Sequence, residues 1–156
     1  MSITRTFQWV AFATLAATSS ARPESANHYL AAPEKYEGKT IKLDVRVVRP
    51  VPWTSPVEGV RFFFAFTEDK RHNALAGGIL VAVPATESEK FVDEYSLRAT
   101  ANSETLRGVF RSAPTRKEDV RVYFVDYEGR CNDFLSKTEG MTLDPQTPAR
   151  RIPRGR

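Results

Sequence analysis

At 156 residues, 41% hydrophobic with ten Phe and five Tyr, the chain has the size and apolar content of one packed domain. Its formal charge of +4 comes from the ends: Arg22–Glu128 holds 16 Lys and Arg against 16 Asp and Glu, and the excess lies at Arg5 and within residues 130–156. A neutral middle lacks the concentrated positive face that phosphate binding needs, which argues against nucleic acid as the main ligand, and a single cysteine excludes an internal disulfide framework.

The first 21 residues have the pattern of a secretory signal peptide. A short start carrying Arg5 leads into Phe7–Ala17, interrupted only by Gln8 and Thr14, and Ser19-Ser20-Ala21 supplies a small-x-small cleavage site. About a dozen apolar residues fall short of the roughly twenty that span a bilayer, so cleavage after Ala21 is favoured over an uncleaved anchor. Nothing after Ala21 is long and apolar enough to cross. The expectation is export to the periplasm or beyond, with a mature chain that starts near Arg22 and carries no transmembrane segment.

Ser25 stands where a hydroxyl can cap a short helix that presents Tyr29 and Leu30, with Tyr36 beyond it. Pro33 ends that helix or begins a second turn, and Gly38-Lys39 hands over to a strand. In Thr40–Val48, Ile41, Leu43, Val45 and Val47 alternate with Lys42, Asp44 and Arg46, the period of a half-buried strand. A second run, Val60–Thr67, is expected to turn Phe62, Phe64 and Phe66 inward. Gly78–Val83 is continuously apolar and predicts a strand covered on both faces. Pro84 closes that run, and Thr86-x-x-Glu89 has the form of a capping box for a helix over Thr86–Leu97 with Phe91, Val92 and Tyr95 on one face. In Leu106–Arg111, Leu106, Gly108 and Phe110 share one side, with Gly108 permitting a bend. Val120–Tyr127 is expected to face Val120, Val122 and Phe124 inward and Arg121 and Tyr123 outward. From Leu135 the chain turns proline-rich and short of large apolar groups, predicting a disordered basic tail over 135–156 behind a domain of residues 22–134.

The order β-β-β-α-β-β after a short N-terminal helix is that of a five-stranded Greek-key barrel of the oligonucleotide/oligosaccharide-binding (OB) type, mainly β with some α. Tyr29-Leu30-Ala31-Ala32-Pro33-Glu34-Lys35-Tyr36-Glu37-Gly38-Lys39-Thr40-Ile41 resembles the opening of small exported bacterial OB-fold domains, in which a short helix and a Tyr-x-Gly-Lys turn feed the first strand. The resemblance covers about Ala26 to Tyr127. It implies the barrel and export, and assigns no functional residues.

Nothing in the chain has the spacing of a catalytic or metal site. His28 and His72 lie far apart on polar segments, and there is no Gly-rich phosphate loop or nucleophile elbow. Asp44, Glu68 and Asp69 are carboxylates that a nuclease would need to converge, without spacing to support it. No catalytic residue, metal or cofactor is therefore assigned. Binding is better supported. OB barrels use strands two and three and the loop after strand one, and that loop, Arg49–Gly59, holds Pro50, Pro52 and Pro56 around Trp53. Trp53 can stack on a ligand or fold back over the barrel end; Phe63 can join it or pack beneath the N-terminal helix. With Arg46, Arg61 and Tyr123 they form the candidate ligand face. The expected function is a non-catalytic, monomeric binding module whose partner is an envelope protein or glycan; a single-strand nucleic-acid binder is the alternative, disfavoured by neutrality and export. Cys131 is either an exposed thiol available for pairing between chains or a small residue packed at the barrel edge, the commoner case.

Overall fold

The structure, a computed structural model, describes residues 22–70, 74–95, 103–117, 119–138 and 141–143. The expected leader, His72 and the last thirteen residues lie outside that set. Five strands close a barrel: β1 (Thr40–Pro50), β2 (Val60–Asp69), β3 (Ala74–Pro84), β4 (Glu104–Pro114) and β5 (Arg121–Tyr127), in the order β1-β2-β3-β5-β4. β1 pairs antiparallel with both β2 and β4, and the parallel β3–β5 pair completes the ring. Short helices α1 (Ala26–Leu30), α2 (Ser88–Tyr95) and α3 (Asn132–Lys137) lie outside it. No helix among the described residues is long and apolar enough to cross a membrane.

Two apolar clusters hold this arrangement. The first fills the barrel: Ile41, Leu43, Val45, Val48, Phe63, Ala65, Val81, Leu106, Phe110 and Val125 meet Tyr29 from α1 and Phe91 and Tyr95 from α2. The α2 patch anticipated from Phe91, Val92 and Tyr95 does enter this interior. The second cluster covers the outer face of β2, β3 and β5, where Phe62, Leu80, Ala82 and Phe124 lie under Val57, Cys131 and Leu143. β3 is thus buried on both sides from Ile79 to Val83, as its unbroken apolar run implied.

Three facing expectations are corrected. On β1 the alternation holds to Val45, then a β-bulge inserts one residue, so Val48 rather than Val47 enters the core. On β2 the interior residues are Phe63 and Ala65, while Phe62 and Phe64 face out. On β5 Val125 is interior and Tyr123 packs on that cluster, while Val122 and Phe124 join the outer one and Val120, just before the strand, is exposed. Shifting a strand by one residue exchanges its faces, and with Phe-Phe-Phe at 62–64 both faces are apolar, so periodicity carries no sign there.

The helix starts also differ. Ser25 occupies the N-cap position without a side-chain capping bond; the first N–H, from Ala26, instead donates to Thr67 Oγ1 of β2 at 2.8 Å. α2 is entered through a 3-10 turn, Ala85–Glu87, and Ser88 Oγ donates to Ala85 O, in place of the Thr86–Glu89 box. Gly108 serves close approach: a Cβ there would lie 2.4 Å from Val125 Cγ1 and 2.5 Å from Asp126 O.

The expected domain end at residue 134 is placed too early. α3 runs to Lys137, Leu135 and Met141 pack on the outer cluster, and Leu143 is fully buried there with its N–H donating to Pro114 O at 3.0 Å. A few apolar residues suffice because the barrel already offers an apolar surface to cover. Buried Asp126 secures the turn before α3: its Oδ1 accepts from Cys131 N–H (2.8 Å) and its Oδ2 from Arg111 Nε (3.1 Å). Cys131 is itself fully buried, the second of its two alternatives.

Candidate ligand-binding cleft

The Pro-rich loop after β1 folds over the outer cluster. Pro50 ends the strand because it lacks a donor for further pairing, and Val51 N–H still reaches Phe62 O at 3.4 Å. Ser55 Oγ donates to Val57 O and accepts from Val57 N–H, making a compact turn that drives Val57 into the outer cluster. Gly59 follows at φ +78°, a conformation that glycine adopts without strain. The Phe134 ring of α3 lies against it so closely that a Cβ would be 2.5 Å from Cε1. Both ends of the loop are therefore held, and Trp53 stands between them.

Trp53 is half-buried, its ring 5.3 Å from that of Phe62 and tilted by 37°, and Phe62 in turn meets Phe124 edge-on. Beneath the loop lies a cleft of about 490 Å³. Its walls are the Pro50–Trp53 stretch, Leu30 at the end of α1, Phe64, Gly78–Leu80, and Val122 and Tyr123 of β5. The Phe64 ring lies over Gly78, where a Cβ would approach to 2.4 Å, so glycine lets that wall lie flat. Tyr123 is fixed by a stacked contact with Phe110, 5.6 Å between centroids at 15°. No wall residue is charged. The size falls within the range of small-ligand sites, which are mostly apolar with a few polar groups that orient the ligand. Here the side-chain candidates for that task are the Tyr123 hydroxyl and the Trp53 indole N–H.

Of the five residues expected to form one face, Trp53 and Tyr123 line this cleft and three do not. Arg46 is in the bulged part of β1 and pairs with Glu68 at 3.5 Å. Arg61 is exposed near the start of β2, opposite Val83. Phe63 is buried in the barrel with its ring 5.1 Å from Phe91. Phe64, Leu30, Leu80 and Val122 take their place. The one sequence signal for them was that β2 and β3 are apolar on both faces, which means that something must cover the outside.

A second, polar cleft of about 330 Å³ is lined by Arg22, Glu24, Asp44, Glu68, Asp69 and Lys70 among others. The three carboxylates considered for a nuclease do converge here, but Asp44 and Glu68 are partners of bases. Lys70 Nζ sits 2.8 Å from Asp44 Oδ1, and Arg46 pairs with Glu68. Among the described residues no group of three or more His, Cys, Asp or Glu is placed to hold a metal ion. His28 bonds Tyr36 through Nε2 at 2.9 Å and belongs to the packing of α1.

Compared with known proteins, the chain matches no family model, no curated protein and no solved structure at significance.

Proposed function

We propose that this chain is an exported, non-catalytic binding module of the OB type, and that its ligand site is the uncharged cleft under the Trp53 loop. Support for the OB reading is the strand order β1-β2-β3-β5-β4 with β1 shared by β2 and β4, and the helix between β3 and β4. Export rests on the leader pattern of residues 1–21. The observation that carries the site is an apolar cleft of ligand size bounded by Trp53, Phe64 and Tyr123, with no charge in its walls.

That lining selects among the expected partners. A glycan needs several side-chain hydrogen bonds for its hydroxyls, and leaving them unmet on burial is costly. A nucleic-acid strand needs cations along its phosphates. An apolar or proline-bearing stretch of an envelope protein needs neither, and is the ligand class that the cleft favours.

The test is a full-length chain with Trp9→Phe, so that Trp53 is the one tryptophan. An uncharged naphthylamine dye is expected to bind saturably and to quench Trp53. Trp53→Ala should weaken the dye by about tenfold, the effect of losing roughly 1.4 kcal/mol of aromatic contact. Dye binding that ignores Trp53→Ala would refute the site. Quenching by an oligonucleotide, with affinity falling steeply as salt rises, would favour the nucleic-acid alternative instead.

A further inference from the structure

We infer that the cleft has an occupant within its own chain: the Pro145-Gln146-Thr147-Pro148 stretch that follows Leu143. This rests on the reading of the cleft as a ligand site and adds how that site is regulated. Residues 144–156 lie outside the described structure, so the argument runs from where the chain is last held, how far it reaches and what its chemistry fits.

The last described residue is packed in the apolar cluster that borders the cleft. Leu143 is buried in the same apolar cluster to which Val51, Trp53, Phe64, Leu80 and Val122 belong, and these five are also cleft walls. Its N–H donates to Pro114 O. Ala113, the residue before Pro114, pairs across the β4–β5 ladder with Val122, a cleft wall. Strand positions are about 3.3 Å apart, so residue 144 starts within a few strand steps of the cleft. An extended polyproline II segment rises about 3.1 Å per residue. Pro145 is then about 6 Å from Leu143 and Pro148 about 9 Å further, well inside the reach needed.

The chemistry also fits. A Pro-x-x-Pro segment is already restricted by its prolines, so docking it costs little conformational entropy, and aromatic-lined grooves are the recurrent way of holding it. The walls here are Trp53, Tyr123 and Phe64 with the rings of Pro50 and Pro52. Proline presents an apolar ring and no N–H donor, so against an uncharged wall only its carbonyl asks for a hydrogen bond, which the Trp53 indole N–H or the Tyr123 hydroxyl can donate. Arg150, Arg151, Arg154 and Arg156, beyond the prolines, are then left in solvent, where charge belongs.

A short tether sets an effective concentration of about millimolar. A segment with a free dissociation constant of only ~0.1 mM would therefore fill the cleft about nine-tenths of the time, lowering the apparent affinity of any other ligand about tenfold. The tail becomes a competitor that an external ligand must displace.

The test compares the full-length Trp9→Phe chain with the same chain carrying Pro145→Ala and Pro148→Ala. Loss of the prolines is expected to raise acrylamide quenching of Trp53 and to tighten uncharged naphthylamine dye binding by up to about tenfold. A synthetic peptide of residues 144–156 should reverse both effects in the double variant, whereas the same peptide with both prolines replaced by alanine should not. Protection of Trp53 in the parent chain should be unchanged on dilution; protection that fades on dilution would mean that a second copy supplies the segment, and would overturn the intrachain assignment. Equal quenching and equal dye affinity in the two chains, with the dye still sensitive to Trp53→Ala, would overturn the tail inference and leave the cleft standing. Dye binding insensitive to Trp53→Ala would bring down both.

Discussion

The interior of the barrel and the layer on its outer face are both apolar, yet they are built in different ways. The interior takes one residue in two from every strand and closes on itself, with Leu43, Leu106, Phe110 and Val125 showing no exposure. The outer layer is assembled from parts far apart in the chain: Val57 in a loop, Cys131 in a turn, and Leu143 in a segment whose N–H donates to Pro114 O. The first is a sheet packed against itself. The second is a sheet covered by chain that was not needed to make it, and where the cover stops short, a cleft remains. An incomplete cover is thus what leaves room for a ligand.

This contrast is open to direct attack. The largest effect is expected in the interior. Phe110→Ala removes a ring that touches Tyr29, Tyr36 and Tyr123, and should destabilise the fold by about 3–5 kcal/mol, read from the urea midpoint. An effect under ~1 kcal/mol would show that this interior is not close-packed.

Two glycines come next. Gly108→Ala drives a methyl into the backbone of β5, which cannot yield, and should cost about 1–3 kcal/mol. Gly78→Ala meets chiefly the half-buried Phe64 ring, which can swing aside. Its stability cost should be smaller and its dye binding weaker, because the cleft wall has moved. Equal stability costs at the two sites would erase the distinction between a closed interior and a yielding cover.

Leu143→Ala should cost about 2 kcal/mol, the low end for a buried leucine, since the segment can lift away instead of leaving a cavity. Its more specific mark is faster protease cleavage between Lys137 and Leu143 with the barrel intact. Loss of the whole barrel signal at the same rate would mean that the two layers unfold as one.

The smallest effect separates the layers by pH. Burial, with Asp126 adding to it, pushes the Cys131 thiol above its ordinary 9.0, and burial likewise pushes the Tyr95 hydroxyl above 10.0. Each folded form keeps its proton while the unfolded chain gives it up. The contribution of each group is therefore fully present below the ordinary value and is lost as pH rises from there towards the raised folded value. Alkaline destabilisation should begin near pH 9 through the outer layer and steepen above pH 10 through the interior. Cys131→Ala should remove the first part of the decline, and Tyr95→Phe should soften the second while losing the bond from its hydroxyl to Thr105 O. A decline that starts only above pH 10 in both the parent and Cys131→Ala would refute the outer-layer assignment.

How far the chain could be read in advance follows the same division. The five strands and α2 were legible because alternation in Ile41–Val45 and Leu106–Phe110, the apolar run Ile79–Val83 and the patch Phe91–Tyr95 are local. The facing of β2 and β5 was not, because Phe62-Phe63-Phe64 and Val122-Tyr123-Phe124-Val125 are apolar on both sides. Trp53 was legible as a candidate by its isolation among prolines, and Tyr123 only as an aromatic on a strand. Arg46 and Arg61 share the outward alternation of β1 and β2 in the sequence, which does not by itself put them on one face with Trp53. The bulge after Val45 and the ring order of the strands separate them.

Element order, the neutrality of the middle of the chain and the stiffness of the Trp53 loop are properties of neighbouring residues, and they follow from local chemistry whatever surrounds them. Which Phe of β2 is core, whether Leu143 is tail or cover, and which side chains share the cleft depend on residues more than forty positions apart being brought into contact. Only closure of the barrel does that, because it alone decides which of two apolar faces has no room left and which still has a space to fill.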